Sequence, residues 1–253
     1  MTGTEHLIVI ATGLVAGLLT STVGVASLVS FPVLVALGIP PVVANASNTV
    51  GMIPAGLGGS LGYRRELREQ PAVTWVVVAT CAFGSIGGAV LLLALPSGVF
   101  EAIVPWLILF TCLLVGATPT ISRWLRSRKP HEVGPRTKMS PVTTFFATLT
   151  GVYGGYFGAG SGVMMMAVLG LGLDLDLRIV NALKTLAVMA ANVVAGLIFV
   201  FVADLDYTAV GLLAIGSIVG GYTGAHVGRV LPPTLLRILI VLAGVIAAVT
   251  MLT

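Results

Sequence analysis

The chain has 253 residues, 57% of them hydrophobic and 9% charged, with a formal net charge of +4. A soluble globular domain carries roughly 25% charged residues, so this composition excludes a soluble enzyme and points to an integral membrane protein. Nine of the thirteen Lys and Arg fall in two short stretches, "YRRELRE" (63–69) and "SRWLRSRKPHEVGPRTKMSP" (122–141), the pattern of basic juxtamembrane loops on a cytoplasmic side rather than of a nucleic-acid surface.

No Lys or Arg precedes the first apolar run, so a signal peptide's charged start is missing and the segment is expected to stay in the membrane. Residues 6–37 form a Gly-rich apolar stretch of about 30 residues, too long for one untilted span and short for two. Ordinary spans are predicted at about 42–61, 73–95 and 99–119. The basic stretch 122–141 then acts as a cytoplasmic linker between an N-terminal membrane repeat, 1–121, and a C-terminal one, 142–253. The second half opens on another Gly-rich stretch, 142–171, followed by spans at about 179–203, 208–230 and 234–253. Cys81 and Cys112 sit singly in apolar segments, as small packing residues with no metal or disulfide spacing, and no cofactor is expected.

The two halves repeat each other. "GLVAGLLTSTVG" (13–24) aligns with "GVYGGYFGAGSG" (151–162), so Gly13, Gly17 and Gly24 fall on Gly151, Gly155 and Gly162. "ANASNTV" (44–50) aligns with "VNALKTL" (180–186), pairing Asn45 with Asn181, Asn48 with Lys184 and Thr49 with Thr185. "GSIGG" (84–88) recurs as "GSIVGG" (216–221), and "LPSGVF" (95–100) as "LPPTLL" (231–236). Four matches in one order indicate a duplicated membrane unit.

Six of the twelve residues from Gly151 to Gly162 are glycine. Each glycine inside a helix costs about 1 kcal/mol relative to alanine, so a break is expected there. If each Gly-rich stretch is a hairpin that enters and leaves on one face, the repeats are inverted and the Lys and Arg outside the membrane core fall on the cytoplasmic side, with Asp204 and Asp206 opposite. Two arms of about 15 residues reach about 22 Å, less than a ~30 Å hydrocarbon core, so tips near 20–24 and 158–162 would end inside the membrane. The competing reading makes these glycines small packing residues within continuous helices. The expected fold is therefore all-α: a polytopic protein of two inverted repeats, each a broken Gly-rich hairpin plus three transmembrane helices.

The segments "VGVASLVSFPVLVALGIPPVVANASNT" and "FGAGSGVMMMAVLGLG…NALKT", with the ending "DYTAVGLLAIGSIVGGYTGAHVGRVLPPTLLRILIVLAG", resemble the sulfite exporter TauE/SafE family, also called the toluene sulfonate uptake permease family. The resemblance covers essentially the whole chain and implies export or uptake of small sulfur-containing or organic anions across the cell membrane. The family's usual Gly-x-Gly-Gly-Gly cluster is altered here to "VGVAS" and "GAGSG", which leaves the substrate within that class open.

Lys184 is the most informative residue, because a Lys inside a span costs about 2.5–3.5 kcal/mol on insertion scales and no acidic residue is expected at its depth. Such a cation suits an anionic ligand; the bland alternative is that it snorkels to the interface, about two turns away near Arg178. Broken helices direct free N–H groups at midplane anions. The candidate substrate-binding set is therefore Thr20, Ser21, Thr22 and Gly24 at one tip, Gly158, Gly160, Ser161 and Gly162 at the other, and Asn45, Asn48, Thr49, Asn181, Lys184 and Thr185 on the facing helices. Against the hydroxyls stands the tendency of Ser and Thr in membrane helices to bond their own backbone. A coupling ion, proton or sodium, is not identified; His226 is either a proton carrier or a packed neutral side chain. Expected partners are a small anion and the lipid bilayer, with a homodimer left open. The rival readings are an intramembrane serine protease using Ser161 and His226, and a non-transporting membrane subunit.

Overall fold

The structure is a computed structural model that describes residues 2–127, 137–227 and 233–252. Arg128, Lys129 and Arg136 of the linker, and Arg229, lie outside the described residues. The described chain is helical: α1 Gly3–Thr22, α2 Ser27–Ala36, α3 Pro41–Gly51, α4 Ile53–Gly62, α5 Arg64–Glu69, α6 Pro71–Ala94, α7 Ser97–Ser127, α8 Pro141–Tyr156, α9 Ser161–Gly172, α10 Leu177–Val202, α11 Tyr207–Val227 and α12 Pro233–Leu252. Five of these helices, α1, α6, α7 through Thr120, α10 and α11 through His226, are long and apolar enough to cross a membrane. Large apolar side chains such as Trp75, Phe83, Trp106, Leu113 and Phe201 point outward. That surface suits lipid rather than water. The chain is an all-helical polytopic membrane protein.

Both Gly-rich stretches are broken, at 23–26 and at 157–160. The arms are not the equal pair expected: α1 has 20 residues and α2 only 10. At 1.5 Å per residue α1 is about 30 Å long, enough to cross by itself, and α2 about 15 Å. The first break also lies beyond Thr20–Thr22, which end α1 instead of forming the turn. The span expected at 42–61 is two helices joined at Met52, because Pro54 lacks an N–H and its ring opposes the carbonyl four residues back. Its counterpart α10 carries no proline and runs unbroken for 26 residues. Between α2 and α3, Gly38 (φ +85°) closes α2 and prolines 40 and 41 start the next helix.

The other glycines do the packing that the competing reading assigned to them. A methyl placed on Gly13 would come 2.6 Å from Leu213 O, and one on Gly224 would come 2.7 Å from Leu18 O. Gly17 likewise faces Ser217 and Gly221, so α1 and α11 lie in backbone contact with residue numbers rising together: the two helices run in the same sense. On the opposite side Gly151 faces Cys81, Gly155 faces Ser85, and Gly88 faces Val152, so α8 and α6 also run in one sense. The helix pair α4 and α10 runs in opposite senses, with Gly59 against Thr185, Gly56 against Met189 and Ile53 against Gly196. The first arm of each half thus packs on the other half. An edge-to-face aromatic cluster of Phe31, Phe100, Tyr156 and Phe157 fastens α2 and α7 to the second break.

Candidate functional site

The two breaks meet. Gly24 has φ +84°, a left-handed backbone that a side chain would strain, and it lies against Gly162. A methyl on Gly24 would stand 2.8 Å from Gly162 Cα, and one on Gly162 would stand 2.7 Å from Gly24 Cα. Positions equivalent in the repeat therefore touch backbone to backbone. Gly158 (φ +79°) and Gly160 (φ +77°) shape the second turn, and Gly160 caps α9.

Each tip is held by a carbonyl clamp. Ser21 O accepts from Tyr63 Oη at 3.1 Å and from Asn181 Nδ2 at 3.2 Å, and Asn181 Nδ2 also reaches Tyr63 Oη at 2.8 Å. Ala159 O, the repeat-equivalent carbonyl, accepts from Thr111 Oγ1 at 2.9 Å and from Tyr153 Oη at 2.6 Å. Asn45 crosses between the halves as Asn181 does, donating through Nδ2 to Tyr156 O at 2.9 Å. Sequence reasoning misses Tyr63, Thr111 and Tyr153. Tyr153 sits in the Gly-rich motif itself, but nothing in the pattern marks which carbonyl it serves.

Lys184 lies beneath the contact between the tips. Its side chain is 0% exposed, its Cδ is 3.3 Å from where a methyl on Gly24 would sit, and its ammonium donates to Thr22 O at 3.2 Å. It therefore does not snorkel. It is the eighth of the 26 residues of α10, about 10 Å from the start of that helix and so nearer its Arg178 end than its middle. Among the described residues the ammonium has no carboxylate partner.

The hydroxyls are already committed as donors. Thr20 donates to Ala16 O, Thr22 to Leu18 O, Thr49 to Asn45 O and Thr185 to Asn181 O, each four residues back in its own helix. Ser21 donates to Gly221 O at 2.8 Å, and Ser161 to Gly158 O at 2.8 Å. Ser161 faces a void of only about 10 Å³ beside Thr150, Gly154 and Ala187, too small for a polyatomic anion. In this arrangement the tips are closed on each other over Lys184. Asn48 donates through Nδ2 to Ser27 Oγ at 3.0 Å.

Beside the first tip opens a polar cavity of about 640 Å³ whose charged lining sets Arg64, Arg65 and Arg178 against Glu66 and Glu69, with Tyr222 and His226 beside them. Tyr63, buried and between Gly62 and Arg64 in sequence, stands beside this cavity and reaches inward to Ser21 O. The antiparallel packing of α4 and α10 brings these charges together, since α4 ends where α10 begins. A second open cavity, lined by residues 37–40, Val43, Asp206 and Tyr207, lies where α3 and α11 begin, at the end of α11 opposite His226.

A family model described as "Sulfite exporter TauE/SafE" matches residues 9–251. The chain belongs to the sulfite exporter TauE/SafE family. It is 26% identical to a "Probable membrane transporter protein ORF9" of Sinorhizobium sp, over 94% of this chain and 88% of the relative. It is 23% identical to a "Probable membrane transporter protein" of Haemophilus influenzae, over 93% and 89% of the two chains. No solved structure matches.

In this TauE/SafE chain Ser161 and His226 do not form a nucleophile–base pair. The Ser161 hydroxyl is turned to Gly158 O, whereas His226 is exposed at the end of α11, with Nδ1 2.9 Å from Tyr222 O and its ring 4.8 Å from that of Tyr222. His226 thus belongs to the basic cavity rather than to the buried interior of a span.

Proposed function

We propose that this TauE/SafE protein moves a small sulfur-containing or organic anion, such as sulfite or a sulfonate, across the cell membrane. The anion binds between the two tips with Lys184 as its fixed counter-charge. The observation that carries the reading is the fully buried Lys184 ammonium, whose described partner is one neutral carbonyl. A cation out of water keeps its charge only when something offsets the lost hydration, and an anion does so best. When the tips part, the Thr22 carbonyl gives up the ammonium and the substrate takes its place. The basic cavity gathers anions at one mouth and the Tyr63–Asn181–Ser21 clamp stands between it and the site. No catalytic role is assigned to any residue.

In this reading the repeats are inverted, and the end bearing Arg64, Arg65, Arg178 and the 122–141 linker is cytoplasmic. The opposed senses of α4 and α10, which are repeat equivalents in direct contact, support the inversion. Basic residues at one end and Asp204 and Asp206 at the other support the orientation. Single cysteines placed at Arg65 and in the linker should label from the cytoplasmic side and one at Asp204 from outside. The native Cys81 and Cys112 are buried and give little background. Labelling of Arg65→Cys and Asp204→Cys from one same face contradicts the topology. For the ligand, calorimetry of the purified protein against sulfite, sulfate, sulfoacetate, taurine and short carboxylates should show saturable binding of at least one anion. Heats of dilution across the whole panel would contradict the anion reading.

A further inference from the structure

Asn45 and Asn48 are three residues apart on α3 and essentially buried, at 0% and 1% exposure. Each amide nitrogen donates one hydrogen bond, Asn45 Nδ2 to Tyr156 O and Asn48 Nδ2 to Ser27 Oγ. The amide oxygens, Asn45 Oδ1 and Asn48 Oδ1, are buried with no hydrogen-bond partner among the described residues, and so is the Tyr156 hydroxyl. Buried acceptors without a partner are rare in native proteins and call for a missing one. Both asparagines reach the same junction. Tyr156 ends α8, Ser27 begins α2, and Ser27 Oγ lies 4.0 Å from where a methyl on Gly158 would sit. The carboxyl end of α8, the negative end of its dipole, points into this junction.

The internal repeat says what kind of partner fits. Asn48 aligns with Lys184, and Asn45 with Asn181. In the second half Asn181 binds the carbonyl of Ser21 at the end of α1, and the Lys184 ammonium sits on the next carbonyl, Thr22 O. In the first half Asn45 binds the carbonyl at the end of α8, but the position of the ammonium is taken by an amide whose oxygen is unpartnered. We propose that Asn45, Asn48 and the carboxyl end of α8 form a site for a monovalent cation of sodium's size, which plays in the first half the part the Lys184 ammonium plays in the second. Amide oxygens are too weakly basic to hold a proton. A divalent ion would want carboxylates, and no group of three acidic, His or Cys side chains occurs among the described residues. Unwound tips and helix carboxyl ends are suited to sodium. The role of the ion rests on the anion reading above: it is co-transported and offsets the substrate's charge. Its binding does not depend on that reading.

The test is thermal unfolding of the purified full chain in NaCl titrated against choline chloride at constant ionic strength. The expected result is a saturable, sodium-specific rise of about 2–4 °C, smaller with KCl. Asn45→Ala and Asn48→Ala should abolish the rise. Lys184→Ala should keep it while losing the response to the anion. Asn48→Lys, which supplies an ammonium covalently, should no longer respond to sodium. If Asn48→Ala does not fold, the wild-type comparison and Asn45→Ala decide. No difference between sodium and choline in the wild type overturns the proposal, as does a full sodium response in both asparagine variants. Anion binding without a sodium effect overturns this site and leaves the anion reading standing; a sodium effect without anion binding does the reverse.

Discussion

Replacing Lys184 by alanine should weaken anion affinity tenfold to a hundredfold while the helices remain assembled. In the proposed role the ammonium supplies one charge-assisted hydrogen bond to the anion, about 1.5–3 kcal/mol, and each 1.4 kcal/mol is roughly tenfold in affinity. Lys184→Met keeps most of the buried volume and should lose the same affinity, separating charge from packing. Lys184→Arg should be partial at best, because a planar fork does not fit the space beneath Gly24 that a compact ammonium fills. Lys184→Glu should abolish anion binding by placing like charge at the site. Calorimetric titration reads all four, and an unchanged affinity for the Ala and Met variants would remove Lys184 from the site.

Gly162→Val is expected to stop transport altogether in protein that still reaches the membrane. The added Cβ would stand 2.7 Å from Gly24 Cα and 2.8 Å from Gly24 O, both backbone atoms that no side-chain rotation can clear. The tips could no longer close over Lys184. Gly24→Val should do the same with added strain, since its φ of +84° costs a side chain about 1–2 kcal/mol. Gly98→Ala and Gly116→Ala are the controls: a methyl at either place meets nothing within 4 Å, and both should transport normally. Normal flux in Gly162→Val would show that closure of the tips is not part of the cycle.

The breaks are legible in the sequence because dense glycine inside an apolar run weakens a continuous helix at every turn, and both breaks fall within a few residues of the expected tips. The repeat is equally informative. Alignment alone pairs Asn45 with Asn181, and each binds a carbonyl near the end of the other half's first arm. The break at Met52 is readable in principle from Pro54, yet prolines 32, 105 and 119 lie inside helices, so proline alone does not mark it. The hydroxyls are harder. Whether Thr20, Thr22 or Ser161 offers its proton to a ligand depends on a rotamer, and here each goes to a backbone carbonyl. The basic cavity is hidden from the sequence because Arg64 and Arg178 are 114 positions apart in the numbering and meet only through the antiparallel packing of α4 and α10.

In the proposed cycle a small anion crosses through the junction that Lys184 and the two tips create. Uptake of labelled sulfite, sulfoacetate and short carboxylates into proteoliposomes measures this directly, with wild type and Lys184→Glu reconstituted at equal density. Saturable flux of at least one of these anions is expected through the wild type, competed by its unlabelled form, with background flux through Lys184→Glu. Flux that is the same in both, or background flux of every anion through the wild type, would contradict it.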